Sequence, residues 1–207
     1  AQTCCGALPA HAGYRDTARE NARVNIDALL GGGFDAFISN TGGCGATLKE
    51  YHHILEHDGA YHARAEEFVR KMKDASEFLA SIGDLNPKMG RIEEKVTYQD
   101  SCHLAHGQKV TKPPRKLIGQ VPGIKFEEMP NSAICCGSAG IYNVVENEMA
   151  MAVLDAKMKN VNQTSATRII STNPGCMLQL RAGEKMHGRG RQVQHVIELL
   201  DEAYRKA

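Results

Sequence analysis

The chain has 207 residues, a length that fits one large domain or two small ones with a buried core. Its 25 Lys and Arg against 24 Asp and Glu leave a formal charge of +1, so nothing in the balance favours a nucleic acid or an anionic membrane as main partner. Hydrophobic residues make up 42% of the chain, but no apolar run approaches the ~18 residues of a membrane span, which excludes a transmembrane helix. With no Trp, six Tyr and five Phe, the core is expected to be aliphatic. No charged-then-apolar leader points to secretion. The odd count of seven Cys therefore argues for reduced thiols in a cytoplasmic setting rather than a disulfide framework.

In chain order, the first predicted element is a helix over Arg15 to Leu30, with Ala18, Ala22, Ile26, Leu29 and Leu30 on one face. Gly31-Gly32-Gly33 closes it, and is not a phosphate loop because no helix opening with Lys-Ser or Lys-Thr follows. Phe34 to Ser39 reads as a short buried strand and Ala46 to about Glu56 as a helix. The spacing of Phe68, Met72, Ala75, Leu79 and Ile82 predicts one long helix over Tyr61 to Ile82. Gly83 to Gly90, with Asn86-Pro87, is the expected linker and divides 1–85 from 91–207. Beyond it come a strand at Lys95 to Gln99, a turn at Asp100 to Gly107 carrying Cys102, a Pro-opened helix at Lys112 to Gly119, and a strand at Ile124 to Met129. After the Cys135-Cys136-Gly137 turn, Val144, Val145, Met149, Ala152, Leu154, Ala156 and Met158 predict one wide apolar face on a helix over Ile141 to Val161. Arg168 to Thr172 is a strand, Asn173-Pro174-Gly175 a turn leading to Cys176, and Val193 to Ala207 a closing helix. Strand, thiol turn and helix in repetition describe a parallel α/β sheet, whose right-handed crossovers gather all strand C-termini along one edge.

The cysteines fall into two matching sets. Cys5 to Cys44 spans 39 positions and Cys136 to Cys176 spans 40. Cys4-Cys5-Gly6 answers Cys135-Cys136-Gly137, and Ile38-Ser39-Asn40-Thr41-Gly42-Gly43-Cys44 answers Ile170-Ser171-Thr172-Asn173-Pro174-Gly175-Cys176. This indicates an internal duplication. Cys102 lies 33 positions before Cys135, whereas the same offset before Cys4 falls ahead of residue 1, so the sequence is expected to begin inside its first repeat.

If the turns converge, Cys102, Cys135, Cys136 and Cys176 form a soft-metal site, each beside a helix N-terminus whose partial positive charge favours thiolate. An iron-sulfur cluster and zinc are the two realistic occupants. Gly6, Gly43, Gly45, Gly137 and Gly175 suit the close backbone approach that a bulky cluster needs. Adjacent cysteines suit a zinc knuckle poorly, since its ligands come as two spaced pairs, so the spacing favours a cluster and leaves zinc as the alternative. Cys4, Cys5 and Cys44 are candidate ligands of a first site that lacks its fourth member. His103 and His106 flank Cys102 and read either as donors or ligands or, equally, as solvated turn histidines. His52, His53, His57 and His62 read as surface residues, and Met149, Met151 and Met158 as core filler.

At these thiol turns the sequence resembles the cysteine-rich CCG domains of heterodisulfide reductase, the lactate-utilisation iron-sulfur protein and the glycolate oxidase iron-sulfur subunit. Cys135-Cys136-Gly137-Ser138-Ala139-Gly140-Ile141-Tyr142, Asn173-Pro174-Gly175-Cys176-Met177-Leu178-Gln179-Leu180 and Gly43-Cys44-Gly45-Ala46 with Lys49-Glu50-Tyr51 are most similar to the glycolate oxidase type. The resemblance covers essentially the whole chain. It implies an α/β fold of two tandem CCG repeats, each a small, mainly parallel sheet flanked by helices. Residues 1–85 would be the C-terminal part of the first repeat and 91–207 the complete second.

By the same resemblance, Cys102, Cys135, Cys136 and Cys176 would hold an iron-sulfur cluster of [4Fe-4S] type, with Cys4, Cys5 and Cys44 as the first repeat's ligands. The chain would relay electrons from a flavoprotein subunit that carries FAD and oxidises glycolate, without being catalytic itself. Its location would be cytoplasmic, with any attachment to the inner face of the cytoplasmic membrane made through the complex. Thr41 and Asn173 stand where heterodisulfide reductase has the first Cys of a Cys-x-x-Cys, so that enzyme's five-thiolate cluster and disulfide chemistry are not implied. The ferredoxin-like Cys runs of the glycolate type are not in this sequence. A lactate-utilisation protein and a zinc-stabilised interaction module are the alternative readings.

Overall fold

The computed structural model describes residues 1–85 and 89–207, so the Asn86-Pro87 turn lies outside the described residues. The chain forms two compact units, Ala1–Ala75 and Ser76–Ala207.

The first unit contains α1 (Ala7–His11), α2 (Arg15–Leu30), β1 (Phe37–Ser39), α3 (Gly42–Lys49), α4 (Tyr51–Ile54), α5 (His62–Lys71) and β2 (Met72–Asp74). β1 and β2 pair in parallel, Phe37 opposite Met72 and Ser39 opposite Asp74. The core is not purely aliphatic. Phe68 lies 5.0 Å from Phe37 and 5.2 Å from Tyr51, ring to ring, and all three are buried beside Ile26 and Leu55. The long helix expected over 61–82 is interrupted, because α5 ends where Met72 turns to extended backbone. β1 leaves a row of backbone groups that need partners, and Met72–Asp74 supplies them. The apolar spacing continues through this three-residue strand, which disguises it as helix.

The chain continues through α6 (Ala75–Ser81), β3 (Lys95–Tyr98), a π-turn (His103–Gly107), α7 (Lys112–Gly119), β4 (Lys125–Phe126), α8 (Tyr142–Val145), α9 (Asn147–Val161), β5 (Arg168–Ser171), α10 (Pro174–His187), β6 (Gln192–His195) and α11 (Val196–Arg205). The sheet of the second unit runs β4-β3-β5-β6, all parallel. Helices cover both faces. Ile170 joins Val96, Tyr98, Leu117, Leu199 and Ala203 in one core, while its neighbour Ile169 joins Leu154, Met158, Val161, Met177 and Leu180 in the other. That split follows from the alternation of side chains along a strand.

Three further expectations are corrected by the structure. The helix over 141–161 is two, α8 and α9, parted at Glu146, and Val144, Val145 and Met149 are exposed while Ala150, Leu154, Lys157, Met158 and Val161 turn inward. The closing helix begins only at Val196, since Gln192–His195 is the edge strand β6. The helix expected from Ala46 starts at Gly42 and breaks at Glu50. No helix among the described residues is long and apolar enough to cross a membrane.

Candidate metal centre

Because β3, β4 and β5 run the same way, the loops that follow them leave one edge of the sheet, and those loops carry Cys102, Cys135-Cys136 and Cys176. The thiols form a row of hydrogen-bond neighbours, Cys102 to Cys135, Cys135 to Cys136, and Cys136 to Cys176. Cys136 and Cys176 are buried, Cys102 and Cys135 half-buried, and none of the seven cysteines is in a disulfide. The turns approach closely, for a Cβ on Gly175 would lie 2.9 Å from Ser138 Oγ. Among the described residues, no three His, Cys, Asp or Glu side chains converge on a point fit for a single metal ion.

Each sulfur is met by donors. The Gly137 amide donates to Cys135 Sγ at 3.3 Å, and the amides of His103 and Ser138 to Cys102 and Cys136. Asn173 Nδ2 donates to Cys176 Sγ at 3.4 Å, assisted by the Ser101 hydroxyl. Thiol donors Cys102 and Cys136, then the Gly137 amide, hold Cys135 far below an ordinary thiol. The Cys136 thiol, against burial and helped by Asn173 and Ser101, brings Cys176 down to about 7. Donation to those two thiolates, together with burial, pushes Cys102 and Cys136 up. A metal taken up here must displace the protons on Cys102 and Cys136.

A polar network fixes these loops. Arg115 grips Asp100 with bonds of 2.8 and 2.7 Å and stacks over Tyr98, and Ser132 Oγ donates to Asp100 Oδ2 at 2.7 Å. The fully buried Lys157 donates to the Ser132 carbonyl at 2.7 Å. Thr172 Oγ1 bonds Ser101 Oγ at 3.1 Å and ties the ends of β5 and β3 together. Cys176 is the third residue of α10, as a helix-terminus role requires, but Cys135 and Cys136 lie on a turn ahead of α8 and rely on the turn's own amides. His103 Nδ1 stands 3.5 Å from Cys102 Sγ, whereas His106 is exposed. Sequence reasoning missed Ser101, Asp100, Arg115, Ser132 and Lys157, and it reads Asn173 only as an absent cysteine. The one available signal is alignment of the two halves, which sets Lys157 against Asn25.

The first unit has local features like those of the second. Gly6 and Gly137 have φ of 81° and 88°, and a Cβ on each would meet a backbone oxygen, Ala18 O at 3.3 Å or Ala150 O at 2.3 Å. Cys44, like Cys176, is the third residue of its helix, after an extended Thr41 that matches Asn173. The Gly6 amide donates to Cys4 Sγ at 3.5 Å. Cys5 donates to Cys44 and brings it down to about 7, while Cys5 itself is pushed up by that bond and by burial. Asn25 Nδ2 reaches the Cys4 carbonyl at 3.0 Å and the Tyr51 hydroxyl at 2.9 Å, and Tyr51 in turn donates to the Cys5 carbonyl. Cys4 is exposed. His53 and His57 are also exposed, while His52 and His62 are half-buried.

In the second unit a paired-cysteine turn follows one parallel strand and a further cysteine opens α10 after another, which makes a thiol-rich α/β domain. The Cysteine-rich domain (CCG) profile matches residues 1–49 and 96–181, and the chain belongs to this family. It is 45% identical over 206 residues to the probable glycolate oxidase iron-sulfur subunit of Bacillus subtilis (strain 168), covering 98% of this chain and 46% of that protein. It is 34% identical over 205 residues to a fumarate reductase (CoM/CoB) subunit of Methanothermobacter marburgensis, 98% of this chain and 39% of that one. It is 27% identical over 200 residues to lactate utilization protein A of Halalkalibacterium halodurans, 97% of this chain and 81% of the relative. The chain thus spans about half the length, 46%, of the glycolate oxidase relative.

Proposed function

We propose that this chain is an electron-transfer component of an oxidoreductase complex, acting in glycolate or related 2-hydroxy acid oxidation. Its partner would be a flavoprotein that binds FAD and the acid, and the chain itself would be non-catalytic. Cys102, Cys135, Cys136 and Cys176 would hold an iron-sulfur cluster, with [4Fe-4S] matched to four thiolates. Such a cluster, when bound, supplies reversible one-electron transfer. The chain's own residues do the rest. The amides at His103, Gly137 and Ser138, with Asn173 and Ser101, spread negative charge from the sulfurs, and burial of Cys136 and Cys176 excludes water. A cytoplasmic location follows from the need for reduced thiols.

The observation that carries this reading is the gathering of four cysteines on loops that leave one edge of the sheet, with the Gly137 amide on Cys135 and the Asn173 side-chain amide on Cys176, in a chain 45% identical to a protein named as an iron-sulfur subunit. Anaerobic reconstitution with ferrous iron and sulfide tests it. Iron and acid-labile sulfide should bind together and give an EPR signal on reduction or oxidation, and Cys136→Ser should remove most of it. Stoichiometric zinc with no sulfide and no redox signal would overturn it in favour of a zinc-stabilised module.

A further inference from the structure

We propose that Lys157 supplies a fixed positive charge behind the thiols of the second unit and raises the reduction potential of a cluster held there, a tuning role that its counterpart Asn25 lacks. This rests on the iron-sulfur reading above.

Lys157 lies on α9 and is 0% exposed. Burying a cation is costly unless something answers its charge. Its Nζ is held by carbonyls, Ser132 O at 2.7 Å and Asn131 O at 3.5 Å, and among the described residues no carboxylate forms an ion pair with it. The buried Asp100 is occupied by Arg115 and Ser132, and Glu128, the other partner of Arg115, is half in water. The Ser132 carbonyl that Lys157 holds lies three residues before Cys135, and its own helix meets the thiol turn where Ala150 packs on Gly137. The negative charges facing it are Asp100, Cys176 and Cys135, joined by Cys136 once a metal displaces that thiol's proton. Burial lowers the lysine to about 8, which leaves it mainly cationic at neutral pH.

The matching place in the first unit shows that a cation is not needed to hold a thiol turn. Ala18 and Ala150 receive the two left-handed glycines, and seven residues beyond them stand Asn25 and Lys157. Asn25 is equally buried and bonds the Cys4 carbonyl, so a neutral amide does the holding there. Both donate to backbone carbonyls next to a thiol turn, but Lys157 alone brings a charge there. When a donor passes one electron to the cluster, no bond forms or breaks, and the added negative charge is stabilised by the nearby cation more than the oxidised form is.

Dithionite titration of the reconstituted chain with redox dyes, read by EPR, gives the midpoint of the signal that Cys136→Ser largely removes. Lys157→Met and Lys157→Gln should each bind iron and sulfide at the parental ratio while their midpoints fall below the parent's. Lys157→Gln keeps a donor for the Ser132 carbonyl and decides the matter if Lys157→Met does not fold. A fully loaded Lys157→Gln protein with the parental midpoint would overturn the proposal and leave the iron-sulfur reading intact. A parent that takes up no iron would overturn both.

Discussion

At Gly137 the backbone enters the left-handed region beside a carbonyl oxygen that a Cβ would approach to 2.3 Å, so Gly137→Ala meets both strain and collision. Gly6 has a similar φ but 3.3 Å of room. Thermal melts should therefore rank the two, with Gly137→Ala losing about 3 kcal/mol and Gly6→Ala about 1 kcal/mol. Equal losses would contradict this geometry. Cys44, brought down to about 7 chiefly by the Cys5 thiol, gives a second check in the metal-free chain. Peptide-resolved alkylation of Cys44 against pH should show a midpoint near 7, and Cys5→Ala should raise it toward that of an ordinary thiol. The cysteines themselves are legible in the sequence because their spacing repeats. Asn173 is legible only as a missing ligand. The hydrogen bond that its side-chain amide donates to Cys176 Sγ depends on an extended N-cap geometry that the sequence does not display.

Element by element, α2 and α7 match their expected bounds, because a glycine run and an early proline mark where a helix stops or starts. β2 and β6 are hidden for a shared reason. Each is a short strand run directly into a helix, and the apolar spacing passes through both without a break. β6 and its neighbours are held by Arg168 on β5, which bonds Glu94, Gln194 and Glu202 from three segments. Bonds from Arg168 and then Lys206 outweigh burial and bring Glu202 down to about 2. A carboxylate with a lowered folded pKa stabilises the fold above its ordinary value of 4.5, and that stability is lost as pH falls toward 2. Glu202→Gln should cost about 2 kcal/mol at neutral pH, and the gap in melting temperature from the parent should close as the pH is lowered across that range. A gap independent of pH would show that Glu202 acts by packing alone.

For the whole molecule, the parallel α/β order is visible in the sequence, as is the matched spacing of the cysteines. The expected linker lies at 83–90, and the second compact unit begins at Ser76, with Leu79, Ala80 and Leu85 packed on its core. Residues 76–207 hold both faces of the four-stranded sheet and all four second-unit thiols. Produced alone, they should melt cooperatively and take up iron and sulfide as the whole chain does, and an unfolded product would show that the first unit is required. In the proposed function, Cys102, Cys135, Cys136 and Cys176 together hold one cluster. Alkylation with peptide-resolved mass spectrometry, before and after anaerobic reconstitution, addresses it most directly. All four thiols should become protected together, and be released together when the iron is chelated. Bound iron with any of the four still modified at its metal-free rate would show that they do not hold it together.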